Sequence, residues 1–186
     1  KGASRPFEGH VADGDAIQNA NIQAIKSGIT VHKILDMVEA FRETDQETPI
    51  VLMGYYNPIY SYGLMKFLDD AAKIGVDAFI IPDLPPEEDA EFRVPAEERG
   101  RYLIRLVTPT TDANRLPTVL DGAKGFLYCV SVTGITGGKK ADPEILRESI
   151  RKLRGNTELP IAIGFGTSTP DEAHAMAQAA DGVIVG

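Results

Sequence analysis

The sequence contains a single cysteine, Cys129, in a chain of 186 residues. One cysteine excludes an intramolecular disulfide and a thiolate metal cluster, and it favours a reducing compartment, so we expect a cytoplasmic protein. Long apolar runs are missing as well. No stretch of about 18 apolar residues occurs, which argues against a membrane-spanning helix. A soluble globular protein is therefore expected.

Positive charge is also scarce. Lysine and arginine number 19 against 27 aspartates and glutamates, which gives a net charge of -8. Such a chain has no general field that would attract phosphate backbones or anionic lipid, so nucleic acid and membrane surfaces are not expected partners. Its histidines, His10, His32 and His174, are far apart and lack the spacing of metal ligands, so no metal site is predicted.

Apolar residues collect in short runs that begin at residues 50, 78, 102, 126, 161 and 183. Each run has the length of a strand and is nearly continuous. That pattern is typical of a parallel sheet with both faces covered. The sequence therefore predicts six buried parallel strands.

Between these runs the apolar spacing lengthens to that of a helix. The clearest helix is predicted to begin after Thr30, a suitable N-cap, and to stop before Pro49. One face of this helix would carry Val31, Ile34, Leu35, Val38 and Phe41. Similar patterns occupy residues 64–72, 145–153 and 170–179.

Alternating strands and helices fit either a doubly wound sheet or a (β/α)8 barrel. The barrel is favoured because reactive-looking residues follow the carboxyl ends of the strands, and no Gly-x-Gly-x-x-Gly follows the first one. A complete barrel of this kind has eight strands, whereas only six are visible here. We therefore predict one α/β TIM-barrel domain over residues 1–186 with about six βα units, N-terminally incomplete, its first two strands missing or altered.

Glycine-rich segments late in the chain are the strongest local signal for a ligand. They occupy residues 133–138 and 164–168, and Gly186 ends a third strand nearby. Glycine lets backbone N–H groups approach a phosphate closely, and neighbouring strand ends of a barrel can direct such segments at one anion. Each segment taken alone is equally typical of a tight turn. Together they predict a small phosphorylated ligand.

Five motifs recur in the order and spacing of a known family. They are Asp13-Gly14 with Ile17-Gln18-Asn19-Ala20, Met53-Gly54-Tyr55-Tyr56-Asn57-Pro58-Ile59, Pro82-Asp83-Leu84-Pro85-Pro86-Glu87-Glu88, Ser131-Val132-Thr133-Gly134-Ile135-Thr136-Gly137 and Gly164-Phe165-Gly166. From Val11 onward the chain resembles the tryptophan synthase alpha subunit family. The resemblance implies a barrel lyase of tryptophan biosynthesis that cleaves indole-3-glycerol phosphate to indole and glyceraldehyde 3-phosphate. It also implies no cofactor of its own and an alpha2beta2 assembly with a beta subunit that carries pyridoxal phosphate.

The resemblance assigns roles to individual residues. Asp13 would accept the indole N–H, and Tyr128 matches the active-site tyrosine. Judged on the residues alone, a strand aromatic packed inside the barrel is the preferred interpretation of Tyr128. The implied substrate- and phosphate-binding residues are Thr136, Gly137, Gly164, Phe165, Gly166 and Gly186. Of these, Thr136 matches the threonine of a mobile lid.

One position departs from the family. Aligning the family's Pro-Phe pair on Pro6-Phe7 places Gly2 where the catalytic glutamate should be, so no carboxylate stands at the expected proton donor. Glu8 is a possible substitute, although it lies some distance along the chain. Two functions therefore stay open: the lyase itself, or a catalytically impaired relative that binds a phosphorylated ligand or docks on a beta subunit. An unrelated phosphate-binding isomerase would need a carboxylate pair on other strand ends, and none is evident.

Overall fold

The computed structural model describes residues 15–108, 111–130, 143–164 and 169–185. Helices and strands alternate through these ranges. The helices are α1 Asp15–Lys26, α2 Val31–Arg42, α3 Tyr56–Tyr62, α4 Leu64–Lys73, α5 Ala90–Glu98, α6 Leu116–Leu120, α7 Pro143–Arg154 and α8 Pro170–Ala177. The strands are β1 Val51–Met53, β2 Ala78–Ile80, β3 Tyr102–Leu103, β4 Arg105–Val107, β5 Leu127–Val130, β6 Ile161–Gly164 and β7 Gly182–Ile184. Within the described ranges, no helix is both long and apolar enough to cross a bilayer.

Every strand pair is parallel, and the strands follow one another in chain order. One sheet has the order β1-β2-β3 and the other the order β4-β5-β6-β7. The two sheets join at Ile104, whose N–H donates to the Phe79 carbonyl at 2.8 Å, while Arg105 directly after it pairs with Leu127 of β5. The third apolar run, which begins at residue 102, therefore pairs with β2 before Ile104 and with β5 after it. Counting β3 and β4 as one, the six predicted strands are confirmed as six successive positions of a parallel barrel wall.

Side chains on the two faces of this wall form separate cores. One core lies between the first sheet and its helices, centred on Phe79 and Phe92. A second lies between the other sheet and its helices and contains Leu127 and Cys129. The third lies on the opposite, inner face of both sheets and contains Tyr128. Period-two alternation along β5 explains this division, because it turns Cys129 into the helix layer and Tyr128 to the inner face.

Helix α2 confirms one prediction and corrects part of another. Thr30 caps its first turn as predicted. The buried stripe includes Leu35 and Val38, but Ile34 and Phe41 are 37% and 41% exposed. The apolar face that the sequence pattern predicts is therefore wider than the buried one. The closest helical neighbour of α2 is α3, and packing against one side covers only a narrow stripe.

Candidate functional site

Tyr128 lies on β5 with its ring on the inner face of the wall. The residue is 5% exposed and packs with Ala78, Ile80 and Ile104. These neighbours come from both sheets, so the ring helps to fill the space that the two sheets share. The packed position agrees with the plainer interpretation of this tyrosine. Its role as an active-site residue stays a prediction.

The Tyr128 ring leans along the wall toward the carboxyl ends of the strands. In the strand register Tyr128 stands opposite Ala162, yet its hydroxyl reaches the level of Gly164, the last residue of β6. A Cβ atom built on Gly164 would lie 2.3 Å from the Tyr128 Oη and 2.4 Å from its Cε2. No side chain fits in that space. Gly164 is therefore a glycine that makes room for the phenol, a reason the sequence pattern does not reveal.

Burial also fixes the chemistry of Tyr128. Desolvation raises the pKa of this phenol above its ordinary value, so the hydroxyl stays protonated at neutral pH. A neutral phenol can donate a hydrogen bond to an oxygen or accept one from an N–H group. It does not serve as a base. Cys129, the next residue, is equally unreactive, because burial raises the pKa of its thiol to about 12.

A cavity of about 290 Å³ opens beside this tyrosine core. Ile104 and Leu106 line it, and both also pack with the inner core that contains Tyr128. Pro82 adds a further apolar surface, while Asp83 and Arg115 contribute opposite charges. Ligand pockets combine apolar walls with a few polar groups in this way.

A second cleft of about 400 Å³ lies at the carboxyl ends of β1 and β2. The Asp83 carboxylate accepts the Tyr56 N–H at 2.9 and 3.2 Å, and the Tyr56 hydroxyl donates to Glu91 at 3.0 Å. Desolvation and the Glu91 carboxylate raise the pKa of Tyr56 to about 12. Asn57 and Tyr60 complete the aromatic and amide lining. The cleft is acidic and aromatic, whereas the first cavity carries charges of both signs.

From the sequence alone, the segment around Asn57 is compatible with a lining for a flat ligand or with a turn before Pro58. It instead forms helix α3, because proline is compatible with the first turn of a helix, where its missing N–H is not needed. Tyr56 and Asn57 line the second cleft and are absent from the described lining of the first cavity. The two cavities share Asp83 and Leu84, so the motif adjoins the first cavity without lining it.

Several predicted site residues lie outside the described residues, and their assignments stay predictions. They are Asp13, Thr136, Gly137, Phe165, Gly166 and Gly186, together with Gly2 and Glu8 at the proton-donor motif. Strands β5, β6 and β7 nevertheless lie side by side and run parallel. Along the chain, these three strands are followed by residues 131–142, 165–168 and 186, which lie outside the described residues. The described residues bring together no group of three or more His, Cys, Asp or Glu side chains that could hold a metal ion.

Sequence reasoning missed a buried ion pair behind β4. The sequence pattern predicts that the acidic run Glu87-Glu88-Asp89 lies on a solvated helix face, but Asp89 is 1% exposed. Its Oδ2 atom accepts the Nε–H of Arg105 at 2.9 Å, and Arg105 also donates to the carbonyls of Val119 and Asp121 at 2.7 and 2.6 Å. A charged residue inside the apolar run 102–107 was the available signal. The pair supports the strand that carries Leu106.

Comparison with known proteins follows from this geometry. A family model described as tryptophan synthase alpha chain matches residues 4–186. The structure resembles tryptophan synthase subunit alpha from Legionella pneumophila, with 39% identity, a TM-score of 0.87, and coverage of 97% of this chain and 66% of that one. It also resembles subunit alpha from Campylobacter jejuni, with 36% identity, a TM-score of 0.84, and coverage of 97% and 71%.

A third similar structure is titled as the tryptophan synthase a2b2 complex from Pyrococcus furiosus, with 35% identity, a TM-score of 0.83, and coverage of 97% of this chain and 72% of that one. The chain spans 66% and 64% of the two Legionella pneumophila alpha chains. Because both the family model and these structures cover nearly all of its residues, the chain belongs to the tryptophan synthase alpha chain family, and its wall of parallel strands is part of a TIM barrel.

Proposed function

We propose that this protein is a lyase that cleaves indole-3-glycerol phosphate to indole and glyceraldehyde 3-phosphate in tryptophan biosynthesis. The observation that carries the proposal is the neutral phenol of Tyr128, which lies over Gly164 on the inner face of the wall. Membership of the family over residues 4–186 supports it. The alternative, a relative that binds without turnover, has no observation in its favour beyond glycine at position 2.

The reaction sets clear chemical demands. A proton must reach the indole ring carbon that bears the glycerol chain, and the adjacent hydroxyl must lose its proton. The carbon–carbon bond then breaks, its electron pair returns to the ring, and the hydroxyl carbon becomes the aldehyde. Positive charge on the ring nitrogen is greatest in between. In the proposal the Asp13 carboxylate accepts the indole N–H and stabilises that charge.

In this scheme, the described residues position the substrate. Ile104 and Leu106 hold the indole ring in the first cavity, which excludes water from one face of the ring. The Tyr128 hydroxyl, protonated at neutral pH, donates a hydrogen bond to an oxygen of the glycerol chain. The phosphate then lies toward the glycine-containing segments that continue from β6 and β7. An aromatic ring, a short polar chain and an anion are thus arranged along one line across the wall.

The proposal is tested with Tyr128→Phe. Single-turnover release of indole from indole-3-glycerol phosphate, with protein in excess, should slow about tenfold, the loss of one hydrogen bond in an excluded site. Single turnover is chosen because Gly2 leaves the family's proton-donor position without a carboxylate, so the rate is expected to be low.

Tyr102→Phe is the matched control for this test. Tyr102 is 41% exposed at the amino end of β3, away from the cavity beside Tyr128, and its variant should release indole at the wild-type rate. Equal rates for Tyr128→Phe and wild type would contradict the assigned role. Phosphate-ligand binding without any indole release would replace the lyase by the non-catalytic alternative.

We further propose that a tryptophan synthase beta chain, the carrier of pyridoxal phosphate, docks on the second cleft. Tyr60 is 63% exposed at its rim, and the neighbouring Glu88 and Glu91 give it an acidic surround. An exposed tyrosine set among polar groups is typical of interface residues that carry binding energy. The Asp83 and Glu91 hydrogen bonds to Tyr56 hold the cleft in one arrangement before a partner arrives.

Calorimetric titration with a beta chain tests the docking surface. Tyr60→Ala should raise the dissociation constant about tenfold, because a central aromatic contact is lost. Tyr102→Ala removes another exposed tyrosine, 41% exposed against 63% for Tyr60, from the opposite end of the strands and should leave binding unchanged. An unchanged affinity for Tyr60→Ala, or equal losses for both variants, would contradict this surface.

A further inference from the structure

Two helices of equal length end in the same arrangement of charges. Helix α2 and helix α7 have 12 residues each, and their last residues are Arg42 and Arg154. In both places a proline-isoleucine pair stands at the start of the next strand, Pro49-Ile50 directly before β1 and Pro160-Ile161 with its isoleucine as the first residue of β6. An aspartate then precedes the strand after that, Asp77 before β2 and Asp181 before β7. We call these two sets the first clamp and the second clamp.

The first clamp consists of Arg42, Ile50 and Asp77. The Asp77 Oδ2 atom accepts the Ile50 N–H at 2.7 Å and the Arg42 Nη2–H at 2.9 Å. The Asp77 N–H donates in turn to the Ile50 carbonyl at 2.9 Å. Arg42 also donates to the Gly75 carbonyl and is nearly buried. The starts of β1 and β2 are thereby held in register.

The second clamp repeats these bonds with Arg154, Ile161 and Asp181. The Asp181 Oδ2 atom accepts the Ile161 N–H at 2.9 Å, and its Oδ1 atom accepts from Arg154 at 2.9 Å. The Asp181 N–H donates to the Ile161 carbonyl at 2.9 Å. The Ile161 N–H, and then the Arg154 charge, lower the pKa of Asp181, so the carboxylate stays ionised at neutral pH. In both clamps, an aspartate directly before one strand accepts the N–H group of the isoleucine at the start of the neighbouring strand.

Register is the quantity that such a bond pair controls. A shift of β7 along β6 would remove the Asp181 carboxylate from the Ile161 N–H and leave a backbone donor without its partner. The paired strands then carry this alignment to their other ends, where Gly164 stands opposite Ile184. The segments 165–168 and 186, which continue from those ends, contain the predicted phosphate-binding glycines.

The two clamps occupy equivalent places in the wall. With β3 and β4 counted as one, β1 and β2 are its first and second positions, and β6 and β7 are its fifth and sixth. Four positions are half the circumference of a (β/α)8 barrel, so the clamps lie on opposite sides. The first clamp supports strands that lead to Asn57 and Asp83 at the second cleft. The second clamp supports the strands that lead to the segments of the proposed phosphate site.

We propose that Asp181, held by Arg154, is a positioning residue for the phosphate site, acting through the register of β6 and β7. The inference rests on the proposed function, because it assigns the bound phosphate to the segments after those strands. Asp181 lies at the amino ends of the strands and touches no ligand. The matching Asp77 performs the same task for the opposite side of the wall and has no role in phosphate binding.

Asp181→Ala and Asp77→Ala are compared by amide hydrogen exchange and by titration with inorganic phosphate. In Asp181→Ala, exchange at Ile184, the far end of β7, should rise about tenfold, and the phosphate dissociation constant should rise about fivefold. Asp77→Ala should raise exchange in β1 and β2 by a similar factor and leave phosphate affinity unchanged. Asp181→Asn keeps an oxygen that accepts the Ile161 N–H and should restore most of both losses.

Faster exchange confined to Ile161 and Gly182 in Asp181→Ala would overturn the proposal, because the clamp would then act only locally. Equal losses of phosphate affinity in Asp77→Ala and Asp181→Ala would also overturn it, since a general loss of stability would explain both. If wild-type protein binds no phosphate, the proposed function fails in that part, and exchange at Ile184 still decides whether the clamp sets the register.

Discussion

Asp89→Ala is expected to lower the free energy of unfolding by about 3–5 kcal/mol, the cost of leaving a buried charge without its partner. Asp89 accepts from both Arg93 and Arg105, and Arg105 is 5% exposed. With the carboxylate gone, the Arg105 guanidinium keeps its bonds to carbonyls but loses its only described carboxylate. A domain of ordinary stability, about 5–15 kcal/mol, would lose a large part of it. Urea denaturation measures the change.

Glu87→Ala is the matched control for this prediction. Glu87 belongs to the same acidic run and also pairs with an arginine, but its side chain is 46% exposed and that of Arg115 is 52% exposed. Removal of this exposed pair should change stability by no more than about 1 kcal/mol. Replacing both members of the buried pair, as Asp89→Leu with Arg105→Met, should recover part of the loss, because no lone charge remains. Similar losses for Asp89→Ala and Glu87→Ala would show that the burial of Asp89 has no energetic importance.

Gly164→Ala should slow indole release by about 100-fold, which is the scale for displacing a positioned group by about 1 Å. The new Cβ would lie 2.3 Å from the Tyr128 Oη, so the ring must leave its place between Ile80 and Ile104. The overpacked core should also cost about 1–3 kcal/mol of stability. Adding Tyr128→Leu removes the clash, so the double variant should regain stability without regaining activity.

Gly182→Ala provides the control for a glycine on the neighbouring strand. A Cβ atom there would meet the Ala162 Cβ at 3.7 Å, which is an ordinary contact. Activity and stability of Gly182→Ala should therefore stay close to wild type. Wild-type turnover in Gly164→Ala would mean that the position of the phenol is unimportant for the reaction, and Tyr128 would lose its assigned role.

The strands were predictable because burial on both faces demands continuous apolar runs, and β2 and β5 show that demand directly. The change of strand partner at Ile104 was not predictable, because it depends on which neighbouring strand supplies the next hydrogen bond and not on local composition. Helix α3 was missed because Pro58 suggests a turn until its place in a first helical turn is known. Only the final packing shows that α2 leaves Ile34 and Phe41 half-covered.

The site was predictable as motifs and only partly as geometry. Tyr128 and Gly164 were both named, but as a tyrosine and a phosphate-binding glycine without connection between them. Their contact joins residues on two strands, and local patterns carry no information about such a pair. Asp89 was misplaced for the same reason, because a carboxylate in an acidic run appears solvated until a buried Arg105 is brought to it.

The change of partner at Ile104 has a consequence for how this wall could be exchanged between relatives. The strands before it have their own helix-side core around Phe79, and the strands after it have another around Leu127. A recombination joint at Ile104 would leave each of these cores intact, but it would interrupt the inner core, the buried Arg105–Asp89 pair and the more exposed Arg115–Glu87 and Lys124–Glu97 pairs. In a chimera joined at Ile104, the side chains from the two parent proteins need to be compatible at few positions. A joint inside β2 or β6 would instead divide a packed layer.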